Sequence, residues 1–111
     1  MKKTLFVLMI VFIASCSSGP ERTAKEFTEN LSKGKISEAK EYCTESTGQM
    51  IDFASQLGGL TIDPDFKFNI IKDSIVENKA WVTYKDQNGK QDVVELVKID
   101  GSWKVHMDSQ K

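Results

Sequence analysis

The stretch Ala80-Trp81-Val82-Thr83-Tyr84-Lys85-Asp86-Gln87-Asn88-Gly89-Lys90-Gln91-Asp92-Val93-Val94-Glu95-Leu96-Val97-Lys98-Ile99-Asp100-Gly101-Ser102-Trp103-Lys104-Val105 decides the fold. It contains three runs rich in β-branched and aromatic residues, separated by Asn88-Gly89 and Asp100-Gly101. Both dipeptides suit two-residue type I′ hairpin turns, whose central residues need positive φ. The pattern predicts antiparallel strands over 79–86, 91–99 and 102–107. A further strand is expected over 66–76, bent or bulged where Ile70 and Ile71 run together.

Turn length sets register, and register sets which residues share a face. A two-residue loop at Asn88-Gly89 pairs Lys85 with Asp92, Thr83 with Val94 and Trp81 with Leu96. The same loop at Asp100-Gly101 pairs Lys98 with Trp103, Leu96 with Val105 and Val94 with Met107. One face then carries Trp81, Thr83, Val94, Leu96, Trp103, Val105 and Met107. This larger, more aromatic face is expected to meet the helices. Trp81, Thr83, Leu96, Trp103 and Met107 are accordingly the candidate pocket residues. The opposite face carries Ala80, Val82, Tyr84, Val93, Glu95, Val97, Ile99, Lys104 and His106. Its apolar members Val82, Tyr84, Val93 and Val97 are the candidate interface residues, because an outward sheet face left apolar suggests an interface.

Upstream the periodicity is helical. Pro20 suits a first helical position and Glu21 a first turn. Ala24, Phe27, Thr28 and Leu31 share one helical face, and Gly34 is placed to end that helix. Ile36, Ala39 and Cys43 fall on one side of a short second helix, with Tyr42 beside them. Ser46 to Gln49 reads as a capping box for a third helix, whose apolar stripe is Met50, Phe53, Ala54 and Leu57. Gly58-Gly59 stops it, and 60–65, with Pro64 and two aspartates, crosses to the sheet. The expected fold class is α+β, with three N-terminal helices packed on a curved four-stranded antiparallel sheet.

The N-terminus has a different character. Lys2 and Lys3 precede an apolar run from Leu5 to Ala14, and small residues lead to Cys16. A short basic region, an apolar core and small residues before a cut are the parts of an export signal. The run is too short for a membrane span, which needs about 20 apolar residues. The residues Ile13-Ala14-Ser15-Cys16 resemble the bacterial lipobox, in which the cysteine thiol takes a diacylglycerol and the new amine is acylated. The resemblance implies a removed signal over 1–15, a lipidated tether over 16–19 and one domain over 20–111. The expected location is the bacterial cell envelope, anchored by lipid, palmitate included, at Cys16. Ser17 stands where some Gram-negative lipoproteins carry the aspartate that favours inner-membrane retention, which favours the outer membrane. Four extended residues span at most about 14 Å, so the domain is expected to sit close to its bilayer.

Composition narrows the functional classes. The 111 residues carry 15 Lys and Arg against 16 Asp and Glu, for a formal net charge of −1. Nothing is basic enough to suggest nucleic acid. With Cys16 acylated, Cys43 is the one remaining thiol of the 2 cysteines, so no internal disulfide forms. Its helical position favours a buried role. One histidine and one free thiol cannot close a zinc site, so no metal is expected. No phosphate-cradling glycine motif, nucleophile elbow or cofactor signature occurs, and no cofactor or catalytic residue is assigned. The expected face assignment puts no Asp, Glu or His in the middle of the inward face. It leaves Glu95 and His106 as a cross-strand surface pair.

Three helices followed by a four-stranded meander, with Ala24 to Leu31, Ala80-Trp81-Val82-Thr83-Tyr84 and Asp100 to Val105 as the matching stretches, resemble the nuclear-transport-factor-2-like superfamily. They resemble more closely the small bacterial lipoproteins classed as domain of unknown function 4878. The superfamily resemblance implies a cone formed by a curved sheet around a long helix. It does not carry one function, because members include isomerases, dehydratases and domains that only bind or dimerise. Three roles follow as expectations. The first is a lipid-anchored, non-catalytic binding or interaction domain, with a membrane-proximal protein or a second copy as partner. The second is a small-molecule enzyme of the isomerase or cyclase type, with its base in the cone. The third is a structural accessory of a membrane complex.

Overall fold

A computed structural model of the protein describes residues 19–107. The elements are α1 (Pro20–Ser32), α2 (Ile36–Lys40), α3 (Glu45–Gln56), β1 (Asn69–Val76), β2 (Lys79–Lys85), β3 (Gln91–Ile99) and β4 (Ser102–Val105). The strands form one antiparallel sheet in the order β1-β2-β3-β4. The expected α+β architecture of three helices on a four-stranded meander is what forms. The expected signal, lipobox and start of the tether, Cys16 included, lie outside the described residues.

The first helix starts at Pro20, whose missing N–H costs nothing there, and its apolar stripe buries Ala24 and Phe27. It ends at Gly34, where φ is +80°. The Gly34 N–H reaches the Leu31 carbonyl at 3.1 Å, and the Lys35 N–H reaches that of Asn30 at 2.8 Å. The positive φ at Gly34 favours glycine, and a Cβ would meet the Ile62 Cδ1 at 3.1 Å, so a side chain would also have to push Ile62 aside.

The third helix starts one residue before the expected capping box. Thr44 is its N-cap, accepting the Thr47 N–H. Its buried positions are Thr47, Gly48 and Ile51. The expected stripe of Met50, Phe53, Ala54 and Leu57 is therefore corrected. Phe53 is 64% and Leu57 69% exposed, and Ile51 points inward instead. Tertiary contacts hold this rotation: Thr47 Oγ1 accepts the Met107 N–H at 2.8 Å, and the Gly48 position lies against Cys43 and Lys40.

The two hairpin turns behave differently. At Asp100-Gly101 both residues have positive φ, 51° and 83°, and the β3–β4 register has the pairing expected of a two-residue loop. At Asn88-Gly89 only Gly89 does, at 84°. The Asp86 N–H there donates to the Lys90 carbonyl at 2.9 Å, which makes a three-residue loop. The cause is the Asp86 carboxylate, which accepts the N–H groups of Asn88 and Lys90, each at 2.9 Å. That side chain fixes a turn beginning at Asp86, with glycine in the left-handed position after it. Trp81 consequently pairs with Glu95, Val82 with Val94 and Thr83 with Val93. The shift of one residue exchanges the two faces of β2.

The inward face therefore holds Ala80, Val82, Tyr84, Val94, Leu96, Trp103 and Val105. Ala80, Val82, Leu96 and Val105 are sealed against Ala24, Phe27, Ala39, Cys43, Ile51 and Phe68. Phe68 and Tyr84 stack with centroids 4.4 Å apart. The outer edge of β4 is covered at Val105, whose N–H and C=O bond Tyr42 and Thr44. The other edge, β1, is exposed along its whole length, with a register shift between Ile70 and Lys72 where the bulge was expected. Asp73 lies on its inward side opposite Val82, a charge of the kind that discourages edge pairing.

Candidate functional site

Two surfaces qualify as candidates, the inside of the curved sheet and its outer face. The inside is filled. Leu96, Val82 and Val105 are among the largest fully buried side chains, and the buried polar residue described on this side is Thr47. Among the described residues no Asp, Glu or His enters this core. General base catalysis needs a titratable group within hydrogen-bond reach of a substrate. The packed interior supplies none.

The candidate pocket residues scatter. Leu96 is in the core as expected, and Trp103 packs half-buried against it, with the Lys98 ammonium 5.5 Å from its ring centroid. Met107 is 43% exposed at the end of β4. Trp81 and Thr83 move to the outer face, because their partners Glu95 and Val93 lie there. The candidate interface residues divide likewise. Val93 and Val97 face outward, whereas Val82 is completely buried and Tyr84 packs on the core. Burial pushes the Tyr84 phenol up, with the charges of Asp92 and Asp86 adding to it. The expected Lys85–Asp92 pair is absent, since Asp92 sits opposite Tyr84 and Lys85 opposite Gln91.

Register assembles the outer face in rows. Val76, Lys79, Val97 and Lys104 form one row across all four strands. Ser74, Trp81 and Glu95 form the next, which His106 completes by donating its backbone N–H to the Glu95 carbonyl at 2.9 Å. Lys72, Thr83 and Val93 form a third. Lys72, Lys79, Lys85 and Lys104 thus share a face with one carboxylate among the described strand residues, Glu95. This basic strip on a slightly acidic chain was hidden while the faces of β2 were exchanged. The alternation of Lys79, Trp81, Thr83 and Lys85 along one strand was the available signal.

The other cluster missed in sequence lies where β4 meets α3. The Thr44 Oγ1 donates to the Thr47 Oγ1 at 2.9 Å, accepts the Thr47 N–H at 3.3 Å and lies 3.0 Å from the His106 Nδ1. A hydroxyl has one proton to give. With that proton on Thr47, the His106 Nδ1 must donate to Thr44, the opposite of what a base does. The arrangement is a clasp that ties the helix start to the strand end. Cys43, beside it, is no nucleophile either. It is 7% exposed, its Sγ lies 3.6 Å from the Lys40 carbonyl it donates to, and burial pushes the thiol up.

With this geometry in view, the chain compares with a solved protein from Campylobacter jejuni named as an NTF2-like transpeptidase. The two share 21% identity with a TM-score of 0.57, over 80% of this chain and 98% of that one. The fold is nuclear-transport-factor-2-like. No family model matches the chain, and no curated protein matches it. At this identity the likeness establishes architecture alone.

Proposed function

We propose that the protein is a lipid-anchored, non-catalytic binding or interaction domain at a bacterial envelope membrane, held through Cys16. The observation that carries the non-catalytic part is the interior. The cone, where an enzyme of this shape would keep its base, is closed by Ala80, Val82, Leu96 and Val105, each at most 1% exposed. The anchor rests on Ile13-Ala14-Ser15-Cys16 behind a basic and an apolar segment. Several acyl chains at one cysteine hold firmly, since each buried methylene adds about 0.8 kcal/mol. Membership among the small lipoproteins of domain of unknown function 4878, and an outer-membrane location, belong to the same reading. No helix of the described residues is long and apolar enough to cross a membrane.

The test is mass spectrometry of the protein purified from bacterial membranes, paired with fractionation of a Cys16→Ser variant. The expected result is a diacylglyceryl thioether on Cys16 and loss of processing or membrane retention in the variant. An unmodified Cys16 thiol in correctly exported protein would refute the anchor.

A further inference from the structure

Within the sheet the first helix packs mainly against β4 and β2, and two contacts fix its direction relative to the strands. The Glu21 carboxyl lies near that of Asp73, while the Glu29 Oε2 accepts the Phe68 N–H at 3.3 Å. The start of α1 therefore lies toward the end of β1 that turns into β2. The β3–β4 turn is at the same end of the sheet, because the Lys98 N–H donates to the Asn78 carbonyl at 2.8 Å. Gly19, where the described chain begins, thus lies toward this end of the sheet rather than toward the Asp86–Lys90 hairpin. Ser17 and Ser18 alone separate it from Cys16, a reach of at most about 10 Å.

The outer face at this end has a definite chemistry. Val76 is 57% and Ile99 47% exposed, and Val97 is half-buried between them. Lys79 and Lys104 flank Val97 in the same row. Among the described residues Lys79 joins no ion pair, and the Lys104 ammonium bonds the Glu41 carbonyl at 2.9 Å. Apolar β-branched side chains alternate with cations, as on surfaces that enter the headgroup region while meeting lipid phosphates. We propose that this strip (Val76, Lys79, Val97, Ile99 and Lys104) rests on the anionic lipid surface to which the chain is tethered. It deepens the anchored reading and rests on it.

A lipid surface fits better than a second copy of the chain for two reasons. A strip of five residues is several times smaller than the roughly 20–30 residues per side of a standard protein interface. The tether also brings this end, rather than the Asp86–Lys90 hairpin, to the bilayer. Glu77 and Asp100 stand at the two tips, so binding depends on the apolar residues as well as the lysines. High salt is expected to weaken it without abolishing it.

The experiment uses full-length protein, purified with its lipid and reconstituted at low density in vesicles of phosphatidylethanolamine and phosphatidylglycerol. Val76→Cys, Ile99→Cys and, at the far hairpin, Asn88→Cys are made singly. The rate of modification by a charged, membrane-impermeant maleimide is measured, and the acyl state of Cys16 is read by mass on the same sample. The expected result is at least tenfold slower modification at positions 76 and 99 than at 88, with protection reduced by a second change, Lys79→Glu. Equal rates on an acylated protein would overturn the resting surface while leaving the anchor intact. Protection in native membranes but not in these vesicles would assign the strip to a protein partner and overturn the lipid reading. An unacylated Cys16 would remove the tether, and the proposal with it.

Discussion

The assignment of faces can be tested by deleting methyl groups at Val82. Val82 is completely buried opposite Val94, whereas Val93, on the neighbouring strand, is 51% exposed. Val82→Ala removes the equivalent of two buried methylenes, about 1.6 kcal/mol at about 0.8 kcal/mol each. The cavity left against the rigid helix-packed face adds to this, for a total of about 2–3 kcal/mol. In a domain of this size each kcal/mol lowers Tm by about 4–8 °C, so a fall of roughly 8–24 °C is expected. Val93→Ala keeps its site half in water and is expected to cost less than about 0.5 kcal/mol. The assay is urea unfolding followed by far-ultraviolet circular dichroism, with thermal melts as a second measure. Equal m-values would show that both variants start from the same fold. In the register of a two-residue loop at Asn88-Gly89, Val82 would face outward and the ranking would collapse. A Val82→Ala variant no less stable than Val93→Ala would refute the three-residue loop and the composition of both faces.

Three further outcomes are expected. Asp86→Ala removes the acceptor for the Asn88 and Lys90 N–H groups and should cost about 1–2 kcal/mol by urea unfolding, as two hydrogen bonds at a turn would; an unchanged midpoint would mean the carboxylate does not set the loop. Glu21 has its pKa raised, first by burial and then by hydrogen bonding and charge from Asp73, so the folded state holds the proton more tightly than the unfolded chain does. Its stabilising contribution is present below the ordinary carboxylate pKa and is lost as pH rises through the raised value. Unfolding midpoints measured across roughly pH 4 to 7 should therefore fall more steeply with rising pH in the wild type than in Glu21→Gln, and parallel profiles would count against the pair. Cys43, buried with its thiol pushed up, should resist iodoacetamide in native protein at neutral pH and react once unfolded; rapid native alkylation would show that the region under α3 opens.

Much of the fold is legible locally. The start of α1 needs only Pro20 and a periodic stripe, and its end needs only Gly34. Asp100-Gly101 supplies both residues a type I′ turn requires, so the β3–β4 pairing follows from the sequence. The doubling at Ile70-Ile71 announces the bulge, because strict alternation cannot place two neighbours on one face. The candidate site was less legible. Thr44 and Thr47 look like ordinary polar residues until His106 and Met107, about sixty positions away, arrive beside them.

The sequence by itself determined the class of the domain, the order of its elements and a lipobox-like tetrad at Ile13–Cys16, because periodicity, turn dipeptides and short motifs are local properties. Tertiary structure decided which side of each element faces in. The same Asn-Gly dipeptide serves two loop lengths, and the Asp86 carboxylate chose the longer. The helix beginning at Thr44 rotated to meet the end of β4, turning Phe53 and Leu57 outward. Each choice is a contest between near-equal local conformations, settled by hydrogen bonds and packing that no short window contains. The consequence for function is direct: Val82 went into the core, and a row of lysines around Val97 came to the surface.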